Sequence, residues 1–460
     1  MRTLTVVLTV ALGGVSLAMI PQDPTLITDP PERFNMRVVT SGLDGPWELS
    51  WGPDQHLWVT ERRGRRILRV NPADGTKSTV RVLPEVHQSV TQDGLLGMAL
   101  DPELLRGTGR DYVYVAFTYD DAPGPELVRR LAVRRYQYDA TARVLRNPVD
   151  VILGLPAHDD HLGGRLVQGP DLKLYLSIGD QGSNFGQNRC NANHAQDLPT
   201  AADVSARDSS KYQGKILRIE VDGSIPADNP LINGVRSHVF SYGHRNQLGL
   251  AFGPGDRLYE SEHGPSTDDE VNLIEAGRNY GWPNVAGHRD DKSYVYANWS
   301  ASASQPCSSL PEGDAIPSSV PTQTETAWTN SSFSPPLRTF FTVDASDKVR
   351  GIGSATIAPG GLDVYTNERG IPGWRNSLLA LSLIRGAVYR LPLSPDGRSI
   401  SGPSVELFRS ANRYRDIALH PDGRTIYLAT DPEGPSRGPD GAPRTLVNPG
   451  SILEFTYVGN

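Results

Sequence analysis

The chain has 460 residues and a formal net charge of −7, with 38% hydrophobic and 21% charged residues, as is typical of a soluble globular protein. Because the net charge is negative, nucleic acid and anionic membrane surfaces are not expected as partners. The 46 glycines and 37 prolines favour a turn-rich β fold over a helical one.

The N-terminus has the pattern of an export signal. Arg2 supplies a positive start, residues 4–20 are apolar, and Ser16-Leu17-Ala18 resembles a small-residue cleavage site. A membrane anchor is the alternative, but this stretch is at the short end for a span and no later segment approaches one. We therefore expect a signal peptide over residues 1–18, a linker over 19–35, and a periplasmic or secreted protein with no stable membrane anchor.

One short pattern recurs six times: apolar residues, a turn rich in Gly, Pro and Asp, and an alternating strand with an aromatic residue. Each copy predicts a β-hairpin, and six copies predict an all-β fold, a single six-bladed β-propeller over residues 36–460. Insertions at residues 184–211 and 294–336 are too long for plain loops and should crown the face that carries the active site. The copies begin at Leu49, Met98, Leu166, Leu250, Thr356 and Ile417.

The chain has two cysteines, Cys190 and Cys307, and both lie in irregular, polar segments. In an oxidising compartment an even pair can form one disulfide. We favour this bridge, with two free thiols as the alternative.

An imidazole stands beside a carboxylate at a predicted strand entrance, in the stretch Asp160-His161-Leu162-Gly163-Gly164-Arg165. Neutral histidine accepts a proton near physiological pH, and a neighbouring carboxylate can fix its tautomer and stabilise the imidazolium. Alone, such a pair is more often an ordinary polar turn. If it is catalytic, His161 is the general base and Asp160 its orienting partner. Alcohol oxidation also needs a hydride acceptor, which no protein side chain provides, so a redox cofactor is required.

Together with six further motifs, this stretch resembles the soluble quinoprotein glucose dehydrogenases, six-bladed propellers that use pyrroloquinoline quinone (PQQ) and calcium. The resemblance runs from about Arg37 to about Tyr457, and the looser aldose sugar dehydrogenases of the same superfamily share only part of it. The further motifs are TQDGLLG, GDQG, GHRN, GPSTDDE, NYGWPNVAG and NRYRD, which begin at Thr91, Gly179, Gly243, Gly264, Asn279 and Asn412.

The resemblance implies PQQ- and calcium-dependent oxidation of an aldose at C1 to the lactone. Hydride would pass to PQQ, and the electrons would pass to an external, soluble acceptor. The family pattern makes His161 the catalytic base. Gln92 and Asp160 would contact the hydroxyl groups of the sugar.

The same resemblance places several side chains against the cofactor. Arg245 and Asn246 would face the quinone carbonyls, where a fixed cation stabilises the negative charge that develops as hydride arrives. PQQ carries three carboxylates, and Arg413 and Arg415, one residue apart on a predicted strand, would grip them with paired donors. Without the resemblance, this pair is more often a solvated strand face.

Two calcium sites follow from the resemblance. One ion would lie on the PQQ, held by the main-chain carbonyls of Gly264 and Pro265, and would polarise the quinone. The second would lie in an acidic loop, whose carboxylate and carbonyl oxygens are ligands that suit calcium, although such loops are more often merely solvated. Its implied ligands are Asp269, Glu270, the main-chain oxygens of Tyr280 and Ala286, Asp290 and Glu325.

The sequence departs from the family pattern near the implied cofactor. Ile384 stands where the family has a lysine that helps to bind PQQ. Arg385 can compensate only if its side chain reaches inward, because neighbours on a strand face opposite sides. His263 replaces a glutamine beside the calcium carbonyls, and since histidine can also donate a hydrogen bond, we expect it to contact the cofactor.

The sugar-contacting part departs further. Phe185 and Gly186 replace a polar-apolar pair, and the short loop 344–354 lacks the aromatic residues of the family, so specificity for glucose stays open. Two other functions also stay open: a calcium-dependent propeller hydrolase such as a lactonase, and a non-catalytic carbohydrate-binding propeller. The physiological sugar, the electron acceptor and a possible homodimer are not determined by the sequence.

Overall fold

The computed structural model describes residues 26–89, 91–122, 124–292, 294–303, 305–311, 316–343, 356–438 and 441–460. Six four-stranded antiparallel sheets form the blades of a β-propeller, so the predicted all-β, six-bladed fold is confirmed. The innermost strands of successive blades pack against one another in a closed ring. The predicted signal peptide and the loop 344–354 lie outside the described residues.

The first three blades follow one another along the chain, and each runs from the inner to the outer strand. Blade 1 consists of Pro46–Trp51, Leu57–Glu61, Arg66–Val70 and Lys77–Val82. Blade 2 consists of Leu95–Leu100, Tyr112–Asp120, Arg129–Asp139 and Val144–Pro156. Blade 3 consists of Gly163–Gln168, Leu174–Ile178, Lys215–Ile219 and Val239–Tyr242.

The last three blades keep this order, except that the outer strand of blade 6 comes from the beginning of the chain. Blade 4 consists of Gln247–Gly253, Arg257–Glu262, Asp269–Ile274 and Arg338–Phe340. Blade 5 consists of Pro359–Tyr365, Ser377–Ser382, Val388–Pro392 and Val405–Leu407. Blade 6 consists of Tyr414–Leu419, Thr425–Thr430, Ile452–Gly459 and Arg33–Thr40.

The ring closes within blade 6. Arg33–Thr40 pairs antiparallel with Ile452–Gly459, so the two ends of the described chain share one sheet. Ile27 adds a parallel bridge to Val405 of blade 5. The strand Arg33–Thr40 begins three residues before the predicted start of the propeller at residue 36.

Five of the six predicted hairpins are the two inner strands of a blade, but the fifth copy, which begins at Thr356, is not a hairpin. Pro359–Tyr365 is one continuous strand. A Cβ on Gly360 would lie 2.6 Å from the carbonyl oxygen of Tyr414, and one on Gly361 would lie 2.0 Å from Oδ1 of Asp416. These glycines allow blade 6 to approach closely and form no turn.

Apolar side chains fill the wedges between neighbouring blades. Trp58 of blade 1 packs in one cluster with Val115 and Tyr136 of blade 2. Blades 5 and 6 share a second cluster that includes Leu381 and Leu428. The core is thus distributed around the ring, and the centre of the ring remains available for polar groups.

A buried ion cluster occupies the central channel, and we call Glu48, Arg165 and Asp416 the channel cluster. Arg165 of blade 3 donates to Oε2 of Glu48 in blade 1 at 2.6 Å and to Oδ1 of Asp416 in blade 6 at 2.9 Å. Its Nε donates to the carbonyl oxygen of Leu248 in blade 4 at 2.8 Å. Burial raises the pKa of Glu48 well above its usual value, and Arg165 opposes that shift. The guanidinium of Arg165 thus joins blade 3 to three other blades.

The two long insertions are joined to each other. The predicted disulfide between Cys190 and Cys307 is confirmed. Asn184 donates to the carbonyl oxygen of Ala297 at 2.7 Å and accepts from the amide of Trp299 at 2.8 Å.

The irregular segments also contain the helices. A capping box at Thr200 starts the α-helix Ala201–Ala206. In the described part of the chain, no helix is long and apolar enough to cross a membrane. Short 3-10 helices lie at Gly186–Asn188, Ser210–Tyr212, Pro254–Asp256, Trp299–Ala301 and Cys307–Ser309, and two-stranded ribbons pair Leu231–Ile232 with Val235–Arg236, Tyr296–Ala297 with Thr322–Gln323 and Ser436–Arg437 with Pro443–Arg444.

Candidate functional site

A cavity of about 310 Å³ opens at one end of the central channel, where the inner strands of the blades begin. We call this cavity and its rim the mouth. Of the predicted site residues, five line it: Gln92, Asp160, His263, Arg413 and Arg415. The remaining lining residues are Gly45, Pro46, Trp47, Arg62, Thr91, Leu248, Leu383, Asp431, Pro432, Glu433 and Gly434.

His161 lies beside the mouth and is oriented by a carboxylate from the end of the next strand. Its Nδ1 is 2.8 Å from Oδ1 of Asp180, which is fully buried. The predicted role of Asp160 as the orienting partner is therefore corrected. Oδ1 of Asp160 lies 3.9 Å from Nε2 of His161 and instead accepts from the amide of His161 at 3.0 Å and from Nε2 of Gln92 at 3.1 Å.

The backbone around His161 explains its neighbouring glycines. His161 adopts a left-handed conformation with φ of 42°, which turns its side chain away from that of Asp160. Gly179 approaches so closely that a Cβ there would lie 1.9 Å from the carbonyl oxygen of His161. This contact brings the following residue, Asp180, within reach of the imidazole.

Asp180 is held by three donors in addition to the imidazole. Oδ1 accepts from the amide of Gly182 at 2.9 Å, and Oδ2 accepts from Nδ2 of Asn193 at 2.9 Å and from Nε1 of Trp282 at 2.6 Å. A carboxylate fixed in this way keeps the proton of the neutral imidazole on Nδ1. Nε2 of His161 has no hydrogen-bond partner among the described residues, so its lone pair can accept a proton.

Arg245 stands between two aromatic rings. Its Cζ lies 5.0 Å from the ring centre of Phe185 and 5.2 Å from that of Trp282. Its amide donates to Oε2 of Glu262 at 2.6 Å, which fixes the backbone. Nε is buried, and the described residues offer it no hydrogen-bond partner. The guanidinium is therefore held in place with donor capacity to spare.

The neighbouring residues Asn246 and His263 are also fixed. Asn246 accepts from the amide of Gly163 at 3.3 Å and donates to Oε1 of Gln92 at 3.4 Å. His263 Nε2 lies 2.8 Å from the carbonyl oxygen of Pro359 and therefore carries the proton. Burial, helped by the positive charge of Arg245, lowers the pKa of His263 to about 3. His263 is a neutral donor, and its Nδ1 can accept.

A cluster of arginines borders the other side of the mouth. Arg415 donates to both carboxylate oxygens of Asp431, at 2.8 and 2.6 Å, and its Cζ lies 4.5 Å from the ring centre of Trp47. Arg413 contacts the same carboxylate at 3.4 Å. Burial would raise the pKa of Asp431, but Arg415, Arg413 and Arg62 lower it below its usual value. The mouth therefore holds three arginines around one ionised carboxylate.

Three members of this cluster were not predicted from the sequence: Trp47, Arg62 and Asp431. They lie in blades 1 and 6, and no regular spacing connects them to one another or to Arg413. Gly434 in the turn Pro432-Glu433-Gly434 after Asp431 is the one local signal, because a Cβ on Gly434 would lie 2.8 Å from Cζ of Arg413.

The position of the family lysine is filled by an apolar turn. Ile384 is only 2% exposed and does not line the mouth, whereas the preceding Leu383 does. Nε of Arg385 donates to the carbonyl oxygen of Thr356 at 2.9 Å, and its Cζ lies 4.3 Å from the ring centre of Phe341. Arg385 is therefore directed away from the mouth and does not replace a lysine there.

Asp269 fixes the loop that carries Gly264 and Pro265. Its Oδ1 accepts from the amide of Gly264 at 2.9 Å, and its Oδ2 accepts from the amides of Ile357 and Ala358 at 2.7 and 3.0 Å. These bonds join the loop of blade 4 to blade 5. Because its lone pairs are used in this way, Asp269 supports the loop, and its role as a metal ligand stays a prediction.

The other predicted ligands of the second calcium lie near one another. Oε1 of Glu270 accepts from the amide of Gly287 at 2.6 Å, and the two oxygens of Glu325 accept from the amides of Ala286 and Asp291 at 2.9 and 3.0 Å. Burial raises the pKa of Glu325 to about 8. Asp290 lies close enough to add to this effect, and Tyr280 is buried. The carboxylates gather around the turn at residues 286–287, and the ion itself stays a prediction.

Comparison with known proteins places this arrangement in a family. A family model described as Glucose / Sorbosone dehydrogenase matches residues 43–330 and 346–437. Quinoprotein glucose dehydrogenase B of Acinetobacter calcoaceticus is 43% identical over 440 residues, which cover 93% of this chain and 91% of that protein. The chain belongs to the glucose/sorbosone dehydrogenase family.

Two further proteins are similar to this chain in sequence or in fold. Aldose sugar dehydrogenase YliI of Escherichia coli is 31% identical over 258 residues, 55% of this chain and 62% of that protein. The solved structure of the PQQ-bound aldose sugar dehydrogenase from Streptomyces coelicolor superposes with a TM-score of 0.63 at 26% identity and covers 94% of this chain and 100% of that one. The predicted family is confirmed.

Proposed function

We propose that this protein is a PQQ- and calcium-dependent dehydrogenase that oxidises an aldose at C1 to the lactone and passes the electrons to an external acceptor. Membership of the glucose/sorbosone dehydrogenase family supports sugar oxidation by a quinoprotein. The observation that carries the proposal is the pairing of His161 with Asp180 beside a cavity lined by arginines. Oxidation of a sugar by PQQ needs two things from the protein: a base for the hydroxyl proton and cationic side chains that bind the carboxylates of the cofactor.

The side chains of the mouth fit a flat, polyanionic quinone. Buried Nε atoms of Arg245 and Arg413 have no partner among the described residues, so both can donate to a ligand. Trp47 and Leu383 add apolar wall on which a ring can pack. Arg62, Arg413 and Arg415 are the residues that would hold carboxylates, because guanidinium groups bind them with paired donors. PQQ, when bound there, supplies the two-electron acceptor.

The proton is handled by the protein. Nε2 of His161 takes the proton from the C1 hydroxyl, and Asp180 stabilises the imidazolium that forms. Gln92 and Asp160, which are hydrogen-bonded to each other at the mouth, orient the hydroxyl groups of the sugar. Arg245 provides a fixed positive charge where negative charge develops.

Reconstitution tests this function directly. Purified protein without cofactor is given PQQ and calcium, and dye reduction is assayed with a panel of aldoses. We expect dye reduction only when cofactor and aldose are both present, with lactone as the product. Hydrolysis of a lactone without PQQ would instead support the hydrolase, for which the arginine cluster has no use. Sugar binding without dye reduction under any condition would support a non-catalytic propeller.

Calcium is part of the proposal, and its removal should affect stability as well as activity. An ion that binds only the folded chain stabilises it by mass action. We expect chelation to lower both the activity and the melting temperature, and calcium to restore both. If Asp269→Ala and Glu270→Ala melt like the parent with and without chelator, the second calcium site is wrong.

We also propose that the protein works outside the cytoplasm with a soluble acceptor. The disulfide between Cys190 and Cys307 supports this location, since such bonds persist in oxidising compartments. The pattern over residues 1–18 supplies the export signal. Mass spectrometry of the protein from the periplasm or the medium should find the mature N-terminus near residue 19.

A further inference from the structure

Blade 4 contains a buried group of ionisable side chains that the proposed reaction does not use. We call His244, Glu260, Glu262 and Asn272 the blade-4 cluster. His244, Glu260 and Asn272 are fully buried, and Glu262 is 3% exposed. One ligand atom from each of His244, Glu260 and Glu262 lies within 4.8 Å of the others. The spacing fits donors arranged around a single metal ion.

The blade-4 cluster has more acceptors than donors. Nδ2 of Asn272 lies 2.9 Å from Oε2 of Glu260, 3.3 Å from Oε1 of Glu262 and 3.0 Å from Oε2 of the neighbouring Glu270. An amide nitrogen has two hydrogens and cannot serve three carboxylates fully. The negative charges therefore lack compensation within the group.

Two buried acceptors point to a missing ligand. Oε1 of Glu260 and Oδ1 of Asn272 have no hydrogen-bond partner among the described residues. Leaving a buried acceptor unsatisfied costs about 1–3 kcal/mol, so such atoms usually have a partner. Asn272 belongs to the same group, because its amide nitrogen contacts all three carboxylates.

The nearby cations are engaged elsewhere. Nζ of Lys215 donates to the carbonyl oxygens of His194, Ala195 and Gln213 at 2.8 to 2.9 Å. Arg245 meets Glu262 through its backbone amide, while its guanidinium stands between aromatic rings at the mouth. Neither side chain forms a hydrogen bond with a carboxylate of the blade-4 cluster.

We propose that the blade-4 cluster is a binding site for one divalent cation, distinct from the calcium sites predicted at Gly264–Pro265 and around Glu325. The ligands are Nδ1 of His244 and the carboxylates of Glu260 and Glu262. His244 Nε2 lies 2.9 Å from Oγ of Ser241, to which it can donate. Nδ1, which lies 3.3 Å from Oε1 of Glu262, is then unprotonated and can bind the metal together with that carboxylate.

The ligand set also indicates which ions fit. Imidazole together with carboxylates suits Mn²⁺ or Zn²⁺, whereas calcium prefers oxygen ligands alone. An ion here would also strengthen the mouth, because the second oxygen of Glu262 holds the backbone of Arg245. The site requires no part of the proposed sugar oxidation, so its test is independent of that function.

Metal analysis of the full-length protein tests this site. The protein is stripped with chelator, dialysed against Mn²⁺ in the presence of excess Ca²⁺, and analysed by inductively coupled plasma mass spectrometry. We expect Glu260→Gln to lose about one equivalent of Mn²⁺ relative to the parent, since it removes an anionic ligand. Glu325→Gln is the matched control, because the same substitution in the calcium loop should leave that equivalent in place.

A crystal structure of the parent, with anomalous data at the manganese edge, gives a readout that does not depend on the folding of a variant. We expect one peak in contact with His244 Nδ1 and Glu260. Absence of that peak would overturn the proposal. So would equal Mn²⁺ content in the parent and Glu260→Gln.

Discussion

The channel cluster and the mouth lie in the same ring of inner strands and use the same kinds of charged side chains. They differ in how many of their hydrogen-bonding atoms lack a partner. In the channel, the guanidinium of Arg165 donates to Glu48, Asp416 and a carbonyl of blade 4. At the mouth, Nε2 of His161 and Nε of Arg413 have no partner among the described residues.

This difference separates two uses of buried charge. A closed network joins blades and offers a ligand nothing, since every strong donor already has an acceptor. An open network retains unused donors and acceptors, which cost stability until a ligand binds. Substitutions in the channel should therefore change stability, and substitutions at the mouth should change turnover or affinity.

The strongest test of this comparison is His161→Gln. We expect the turnover number to fall by about 10²- to 10⁴-fold, the usual contribution of a general base. The melting temperature and the PQQ affinity should stay near those of the parent. His158→Gln, three residues earlier, is the matched control and should retain activity. A His161→Gln variant with more than half of the parent activity would remove this residue from the mechanism.

Arg165→Met should have the largest effect on stability. It leaves Glu48 and Asp416 buried without their shared cation, which costs about 3–5 kcal/mol. Chemical unfolding monitored by tryptophan fluorescence measures this loss. Adding Glu48→Gln and Asp416→Asn to the variant should recover part of it, because the uncompensated charges are then gone. Unchanged stability in Arg165→Met would mean that the channel is not held by this network.

Asp180→Asn tests whether the mouth depends on its orienting carboxylate. We expect a fall in turnover of about 10²-fold, because the asparagine keeps the size but not the charge that stabilises the imidazolium. The double variant with His161→Gln should lose no more than His161→Gln alone, since the two residues act as a unit. Additive losses would show that Asp180 acts independently of His161.

Two of the three arginines of the mouth, Arg413 and Arg415, should differ from each other in smaller effects on PQQ affinity and melting temperature. Arg413→Ala should weaken PQQ binding by about tenfold or more, as expected for loss of a charge-assisted hydrogen bond, with little change in melting temperature. Arg415→Ala should weaken binding and also lower the melting temperature, because it deprives the buried Asp431 of its two shortest ion-pair contacts. Equal melting temperatures in both variants would contradict this distinction.

Much of the fold could be predicted from the sequence because the repeated turns are local. Five of the six copies of the pattern form inner hairpins. The copy that begins at Thr356 does not, and its glycines have another cause. Gly360 and Gly361 are required by atoms of blade 6, which are more than 50 residues away in the chain. Sequence reasoning treats glycine after proline as a turn and cannot see such a contact.

The candidate site was predictable to the extent that its residues belong to continuous motifs. His161, Arg413 and Arg415 lie at or beside the mouth as expected. Asp180 lies in the GDQG motif, but Asp160 is adjacent to His161 in the chain and was therefore predicted as its orienting partner. The positive φ of His161 turns the imidazole from its neighbour toward the next strand, and only the backbone conformation reveals this.

The pairing of Arg33–Thr40 with Ile452–Gly459 has a consequence for how the protein is made. Among the strands that the structure describes, Arg33–Thr40 comes first in the chain, and it receives its partner only after blades 1 to 5 have been synthesised. Until then its edge is exposed and is a hazard for association with other chains. Blades 1 to 5 can assemble earlier, so the edge of Arg33–Thr40 needs protection from association with other chains for the longest time.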